Sequence, residues 1–267
     1  MKDDAKLFEA CASISKDALS YVIDLVDPKL LFMKFRPQAD VNARDTFGRT
    51  PLYVAAENGR RDIVQYLISK GAEVNAVKQD GYSPLHAAIQ SRHKNIAEML
   101  INKGANVNLK AQDGSTPLAI VTRNIQDAMS RRLHAISENA EEIRLRHIEA
   151  MDDFEHIVKL LFQSGAVLSP GDPIGFALMI FGVRERRGAV VRLLVENGAD
   201  IKARDHYGYT ILHIAAREGT ADIVDYLISK GADVNATNEF SETPLNRALT
   251  AHNKETADML IKHGGIQ

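Results

Sequence analysis

The sequence predicts an all-α fold in which helix pairs joined by short β-hairpins stack into a solenoid, with one helical hairpin projecting from it. Three observations carry that reading. Glycines recur 33 residues apart at Gly71 and Gly104 and again at Gly165, Gly198, Gly231 and Gly264, and the single wider gap exceeds the period by 28 residues. A second ladder, Gly48, Gly81 and Gly114, keeps the same spacing, each glycine standing two residues before Thr-Pro-Leu or Ser-Pro-Leu. From Leu118 to Ser164 there is neither glycine nor proline, so the extra residues read as helix. Self-similarity at such a period is the mark of stacked units that cannot bury an apolar face alone.

Each part of the repeat has a physical reason. Thr50, Ser83, Thr116, Thr210 and Thr243 stand where an N-cap oxygen satisfies a free N–H of the first helical turn. Pro51, Pro84, Pro117 and Pro244 follow at the first helical position, where a missing N–H costs nothing. The Ala pairs 55–56, 87–88 and 215–216 keep the first helix slim for close stacking. Ile63, Val64, Leu67 and Ile68, like Ile223, Val224, Leu227 and Ile228, form the apolar stripe of a second helix. Gly71 and its equivalents end that helix, because glycine accepts the left-handed cap conformation.

The segments Asp45-Thr-Phe-Gly-Arg-Thr-Pro-Leu-Tyr-Val-Ala-Ala56, Gln79-Asp-Gly-Tyr-Ser-Pro-Leu-His-Ala-Ala88 and Asp205-His-Tyr-Gly-Tyr-Thr-Ile-Leu-His-Ile-Ala-Ala216 resemble the opening of an ankyrin repeat. Lys70-Gly-Ala-Glu-Val-Asn75, Lys103-Gly-Ala-Asn-Val-Asn108, Asn197-Gly-Ala-Asp-Ile201 and Lys230-Gly-Ala-Asp-Val-Asn235 resemble its terminus. The resemblance covers nearly the whole chain and implies one ankyrin-repeat domain, 1–267, of about seven repeats: a degenerate first repeat 4–44, then 45–77, 78–110, 111–168 with an inserted hairpin at about 125–152, an irregular 169–204, 205–237 and a C-terminal cap 238–267. In the first repeat the helices read either as Leu7–Cys11 with Asp17–Leu25, or as 18–26 with 29–36 behind a cap at 4–13. The repeat pattern closes at Gly264-Gly265, which reads as a natural end.

Within the insertion Ile125, Met129, Leu133, Ile136, Ala140 and Ile143, then Leu145, Ile148, Met151 and Phe154, recur at helical spacing. The register resumes at Gly165, so the chain must reverse, most simply at Ser137–Glu142, where Asn139 and Glu142 resemble a capping box. The apolar seam either zips the two arms of a tolerated insertion or forms a partner-binding arm. Because the register is intact on both sides, the arm 125–152 reads as removable. In 169–204, Ser169-Pro-Gly-Asp-Pro173 replaces the Thr-Pro-Leu start and Arg184-Glu-Arg-Arg-Gly188 lengthens the loop between helices, so this unit reads as the weak point of the stack.

The formal charge of −2 gives no general attraction to nucleic acid or anionic membrane, although Arg123, Arg131, Arg132, Arg184, Arg186 and Arg187 leave a nucleic-acid-binding basic stripe as one alternative reading, an enzyme-inhibiting accessory protein being the other. The lone Cys11 suits a reducing compartment and, with no apolar leader after Met1, a cytoplasmic or nuclear location or signal-less export. No apolar run reaches the roughly 20 residues of a membrane helix. His134, His147 and His156 lack metal-ligand spacing, no phosphate loop occurs, and Cys11 has no recognisable base, so neither catalysis nor a cofactor or metal is expected. His86 and His213 read as structural, bonding backbone within the repeat.

What remains is recognition of a protein partner by a monomer. The resemblance implies binding on the concave face of hairpin tips and first helices, and it maps the variable positions onto Phe47, Arg49, Tyr82, Gln90, His206, Tyr207, Tyr209, Arg217, Phe240 and Glu242, with Glu57, Gln112 and Arg247 beside them. Phe47, Tyr82, Tyr207, Tyr209 and Phe240 fall on the tips. Aromatic and arginine side chains are frequent interface anchors, though rings there can instead pack across a neighbouring hairpin.

Overall fold

The computed structural model describes residues 40–134, 140–168 and 171–267. Twelve helices run in pairs through them: α1 Pro51–Glu57 and α2 Arg61–Ser69, α3 Pro84–Gln90 and α4 Lys94–Asn102, α5 Pro117–His134 and α6 Ala140–Gln163, α7 Pro173–Arg184 and α8 Gly188–Glu196, α9 Ile211–Glu218 and α10 Ala221–Ser229, α11 Pro244–Thr250 and α12 Lys254–Lys262. The expected first repeat and its Cys11 helix, and the Asn139 cap, lie outside the described residues. Of the described residues, 40–124 with 163–166 and 125–162 with 167–267 form two compact units, divided inside the inserted repeat.

In the first unit α1 packs on α2 and α3, and α3 on α4. Leu52, Ala55, Ala56, Val64, Leu85, Ala88 and Leu100 are buried between them. Thr50 Oγ1 accepts from the Tyr53 N–H at 3.2 Å and Thr116 Oγ1 from the Ala119 N–H at 3.2 Å, caps worth about 1 kcal/mol each. The expected hairpins are tight turns closed by side chains; among the described residues the only β-bridge outside a strand joins Arg204 to Thr210. Gly81 shares a positive φ, +86°, with the other glycines of its ladder, and a Cβ on it would also sit 3.1 Å from the Ala111 Cα of the next turn.

Asparagine links successive repeats. Asn75 Nδ2 donates to the Gly104 carbonyl at 3.0 Å, and the Asn106 N–H donates back to Asn75 Oδ1 at 2.7 Å. Asn42 makes the same pair of bonds with Gly71 and Glu73, and Asn108 Nδ2 donates to Gly165 at 2.7 Å across the insertion. The histidines span repeats as well as capping their own helix. Ser83 N–H donates to His86 Nδ1 at 3.2 Å, which leaves Nε2–H to donate to the Ser115 carbonyl at 3.3 Å.

The second unit repeats this scheme. α9 packs on α7, α10 and α11, and α12 on α10 and α11. Asn235 joins Gly264 and Ile266, while His213 takes the Thr210 N–H at 3.1 Å and donates to the Glu242 carbonyl at 3.0 Å. The irregular repeat has its own substitute for Thr-Pro-Leu: Asp172 Oδ1 accepts from the Ile174 N–H at 2.9 Å and Pro173 opens α7. Leu178, Met179, Phe181 and Val183 of α7 are wholly buried.

The insertion lengthens both helices of its repeat, as its periodicity requires, but it is not a removable arm. Ile125 and Met151 are buried to 1% and 0% exposure. Arg187, before α8, pairs with Asp152 of α6 at 2.7 Å and also with Glu155, and His147 Nε2 lies 3.0 Å from Glu185 Oε2. Burial acts to raise the Glu155 carboxyl, yet hydrogen bonds from Lys159 and Arg187 hold it below its ordinary value. Cutting at 125–152 would open this core, leave Arg187 with Glu155 alone and remove the His147–Glu185 pair, so α6 and the irregular repeat are one coupled element.

Candidate interaction surface

The Asp45 turn sets the first part of the site. Its Oδ1 accepts the Phe47 and Arg49 N–H groups at 2.9 and 2.8 Å, which turns the Phe47 ring outward to 62% exposure. Arg49 Nε returns a 2.7 Å bond to Asp45 Oδ2, and its Nη1 lies 3.3 Å from Glu57 Oε2 on α1. Burial acts to raise Asp45, but Arg49 and these N–H groups hold it below the usual carboxylate range.

One repeat later, Lys78 pairs with Asp80, and its Nζ stands over the Tyr82 ring at 5.2 Å and the Tyr53 ring at 5.9 Å. The Tyr82 hydroxyl donates to Asp113 Oδ2 at 2.8 Å, on the third tip. Between the three tips and the ends of α1 and α3 lies a groove of about 750 Å³, lined by Phe47, Arg49, Tyr53, Glu57, Lys78, Asp80, Tyr82, Gln90, Gln112 and Asp113. Four of the ten expected site residues, Phe47, Arg49, Tyr82 and Gln90, thus line one groove, together with the expected neighbours Glu57 and Gln112.

The other six lie on the second unit. The His206 and Tyr207 rings meet at a tilt of 48° with centres 3.9 Å apart, and the Tyr207 ring centre lies 6.0 Å from that of Phe240. Tyr207 and Phe240 are exposed, at 47% and 62%. Tyr209 is half-buried and donates to Glu242 Oε2 at 3.0 Å, with Arg247 5.2 Å from its ring. Glu242 is held below its ordinary value first by the Asn238 amide, 2.8 Å away, against a smaller opposing effect of burial. Arg217 is exposed on the last turn of α9.

The tip aromatics therefore divide into two kinds. Phe47, Tyr207 and Phe240 face outward, whereas the hydroxyls of Tyr82 and Tyr209 tie one repeat to the next. Sequence reasoning missed Tyr53, Lys78, Asp80 and Asp113 as groove residues. Tyr53 did leave a signal, for it stands where His86 and His213 stand in their repeats.

Among the described residues no helix is long and apolar enough to cross a membrane. A search of curated proteins finds no match. The family model for ankyrin repeats, three copies, matches residues 7–111 and 178–267, most of the chain on either side of the insertion and the start of the irregular repeat. The tight turns, slim first helices and glycine-capped second helices seen here are what that match requires. The chain belongs to the ankyrin-repeat family, whose repeats generally mediate protein–protein interaction.

Proposed function

We propose that this chain is a non-enzymatic scaffold or adaptor, a cytoplasmic monomer that takes a protein partner on its hairpin tips and first helices. The observation that supports this most is the groove of about 750 Å³ rimmed by Phe47, a ring left 62% exposed while the framework residues beside it are buried. An exposed aromatic beside a charged groove suits an interface anchor. A second surface within the same reading is the inserted helix α6, where Leu145 and Ile148 are 57% and 42% exposed. The basic-stripe alternative draws less support, since Arg187 is neutralised by Asp152 and Glu155, and Arg186 donates to the Glu218 carbonyl at 3.1 Å.

The test is capture of a partner by the immobilised full chain, followed by calorimetry with wild type and with Phe47→Ala, Tyr207→Ala and Phe240→Ala. At least one substitution should weaken binding about tenfold, as expected of an interface anchor, with the melting curve unchanged. Full affinity in all three variants and in their combination would remove the tip surface from the account.

A further inference from the structure

We propose that the first-unit groove recognises a basic side chain, arginine above all, presented by an extended segment of the protein partner. This deepens the proposed function and rests on it.

Two independent observations carry the assignment. The first is charge. Arg49 and Lys78 face the groove together with Glu57, Asp80 and Asp113, with Asp45 directly behind Arg49. Both cations are already engaged, Arg49 by Asp45 at 2.7 Å and Glu57 at 3.3 Å, and Lys78 by Asp80. Asp113 has no cation within ion-pairing distance among the described residues; it accepts from the Tyr82 hydroxyl and from the Ser115 N–H and hydroxyl. Hydrogen bonds from Ser115 and Tyr82 hold its carboxyl below the ordinary value, and it is ionised at neutral pH. Arg123, outside the groove lining, lends it a favourable field, and the wall still carries more negative than positive charge.

The second is Tyr53. Its side chain is 97% removed from solvent, at 3% exposure, yet it lines the groove, and its hydroxyl has no hydrogen-bond partner among the described residues. In the corresponding repeats the histidine at this position reaches the next tip's carbonyl. Tyrosine leaves that bond unmade and places a phenol in the groove wall. Burial, then the neighbouring Glu57 and Asp80, raise its ionisation well above neutrality, so the group is a neutral hydroxyl. A hydroxyl oxygen accepts from a guanidinium N–H, the planar guanidinium stacks on an aromatic face, and carboxylates complete the five-donor fork. Tyr82 and Phe47 supply the faces, Glu57 and Asp113 the carboxylates. A carboxylate from the partner would meet the excess negative charge.

The experiment titrates the full chain with the acetylated, amidated peptides Gly-Ser-Arg-Ser-Gly and Gly-Ser-Glu-Ser-Gly at low salt, following the tyrosine ring and backbone amide signals by NMR. The arginine peptide should shift the Tyr53, Tyr82 and Asp113 signals saturably. Glu57→Gln with Asp113→Asn should weaken it about tenfold, the loss expected for charge-assisted bonds, and Tyr53→Phe about threefold with helicity unchanged. Equal or tighter binding of the glutamate peptide at the same signals would overturn the basic-anchor assignment while leaving the groove as the interface. If neither peptide moves these signals but the captured partner still depends on Phe47, the surface stands and the arginine assignment falls. Partner binding that ignores Phe47, Tyr207 and Phe240 would count against the surface itself.

Discussion

Asn75 shows how much of the stack depends on short polar side chains. Its amide both donates to Gly104 and accepts from Asn106, so one exposed residue closes two backbone groups of the following repeat. Asn75→Ala should cost about 1–2 kcal/mol, two modest hydrogen bonds' worth, in urea unfolding, whereas Asn95→Ala on the exposed side of α4 should change little. Equal effects would mean the clamp contributes no stability. His86 and His213 add a pH dependence. Burial lowers both below the ordinary imidazole value, despite the raising effect of the carbonyls they meet. The unfolded chain therefore binds more protons between that ordinary value, about 6.5, and the lower folded values, and stability rises with pH there. It is complete above about pH 6.5 and declines as pH falls toward the folded values. Asn246 caps Thr243 in the same way without titrating, accepting its N–H at 2.8 Å. His86→Asn with His213→Asn should flatten the decline below about pH 6.5; an undiminished slope in denaturant midpoints would assign it to other groups. The caps were legible because Ser/Thr, proline and histidine recur in order. The role of Asn75 was not, since its partners lie 29 and 31 residues away and only the folded stack brings them together.

At the scale of elements, the inserted helices were readable as helices and misread as detachable. Their length follows from an apolar period without glycine or proline. Their attachment depends on His147 meeting Glu185 and Arg187 meeting Asp152 and Glu155, pairs 32 to 38 residues apart whose members look in sequence like a solvated face. The irregular repeat looked weak because its Thr-Pro-Leu start is missing, but Asp172 and Pro173 replace the cap and α6 supplies contacts. Arg187→Ala should destabilise the second unit by about 1–2 kcal/mol, because it removes a charge-assisted bond to the largely buried Glu155, which then keeps only Lys159. Native-state hydrogen exchange should then accelerate in α7 and α8 while α1 to α4 keep their protection. Uniform acceleration, or none, would contradict a coupled α6–α8 element.

For the whole molecule, the 33-residue register predicts about seven repeats but not the two compact units, because the division falls inside the inserted repeat, where that register is interrupted. Each unit carries its own tips, and their chemistry differs at matching positions: Glu57 corresponds to Arg217, Asp80 to Phe240 and Tyr82 to Glu242. A segment suited to the groove of the first unit would meet different charges on the second. The candidate face was legible as positions, from the gaps between framework residues. Its groove was not, because Tyr53 sits in a framework position and Lys78, Asp80 and Asp113 acquire their roles only when three tips line up. Hairpin tips and first helices, rather than second helices, are the surface proposed to receive the protein partner. Hydrogen exchange of the full chain with and without the captured partner tests it most directly. Added protection is expected in 45–57 and 78–90, or in 205–217 and 238–250, with α2, α4, α10 and α12 unchanged; protection confined to those second helices would rule the tip surface out.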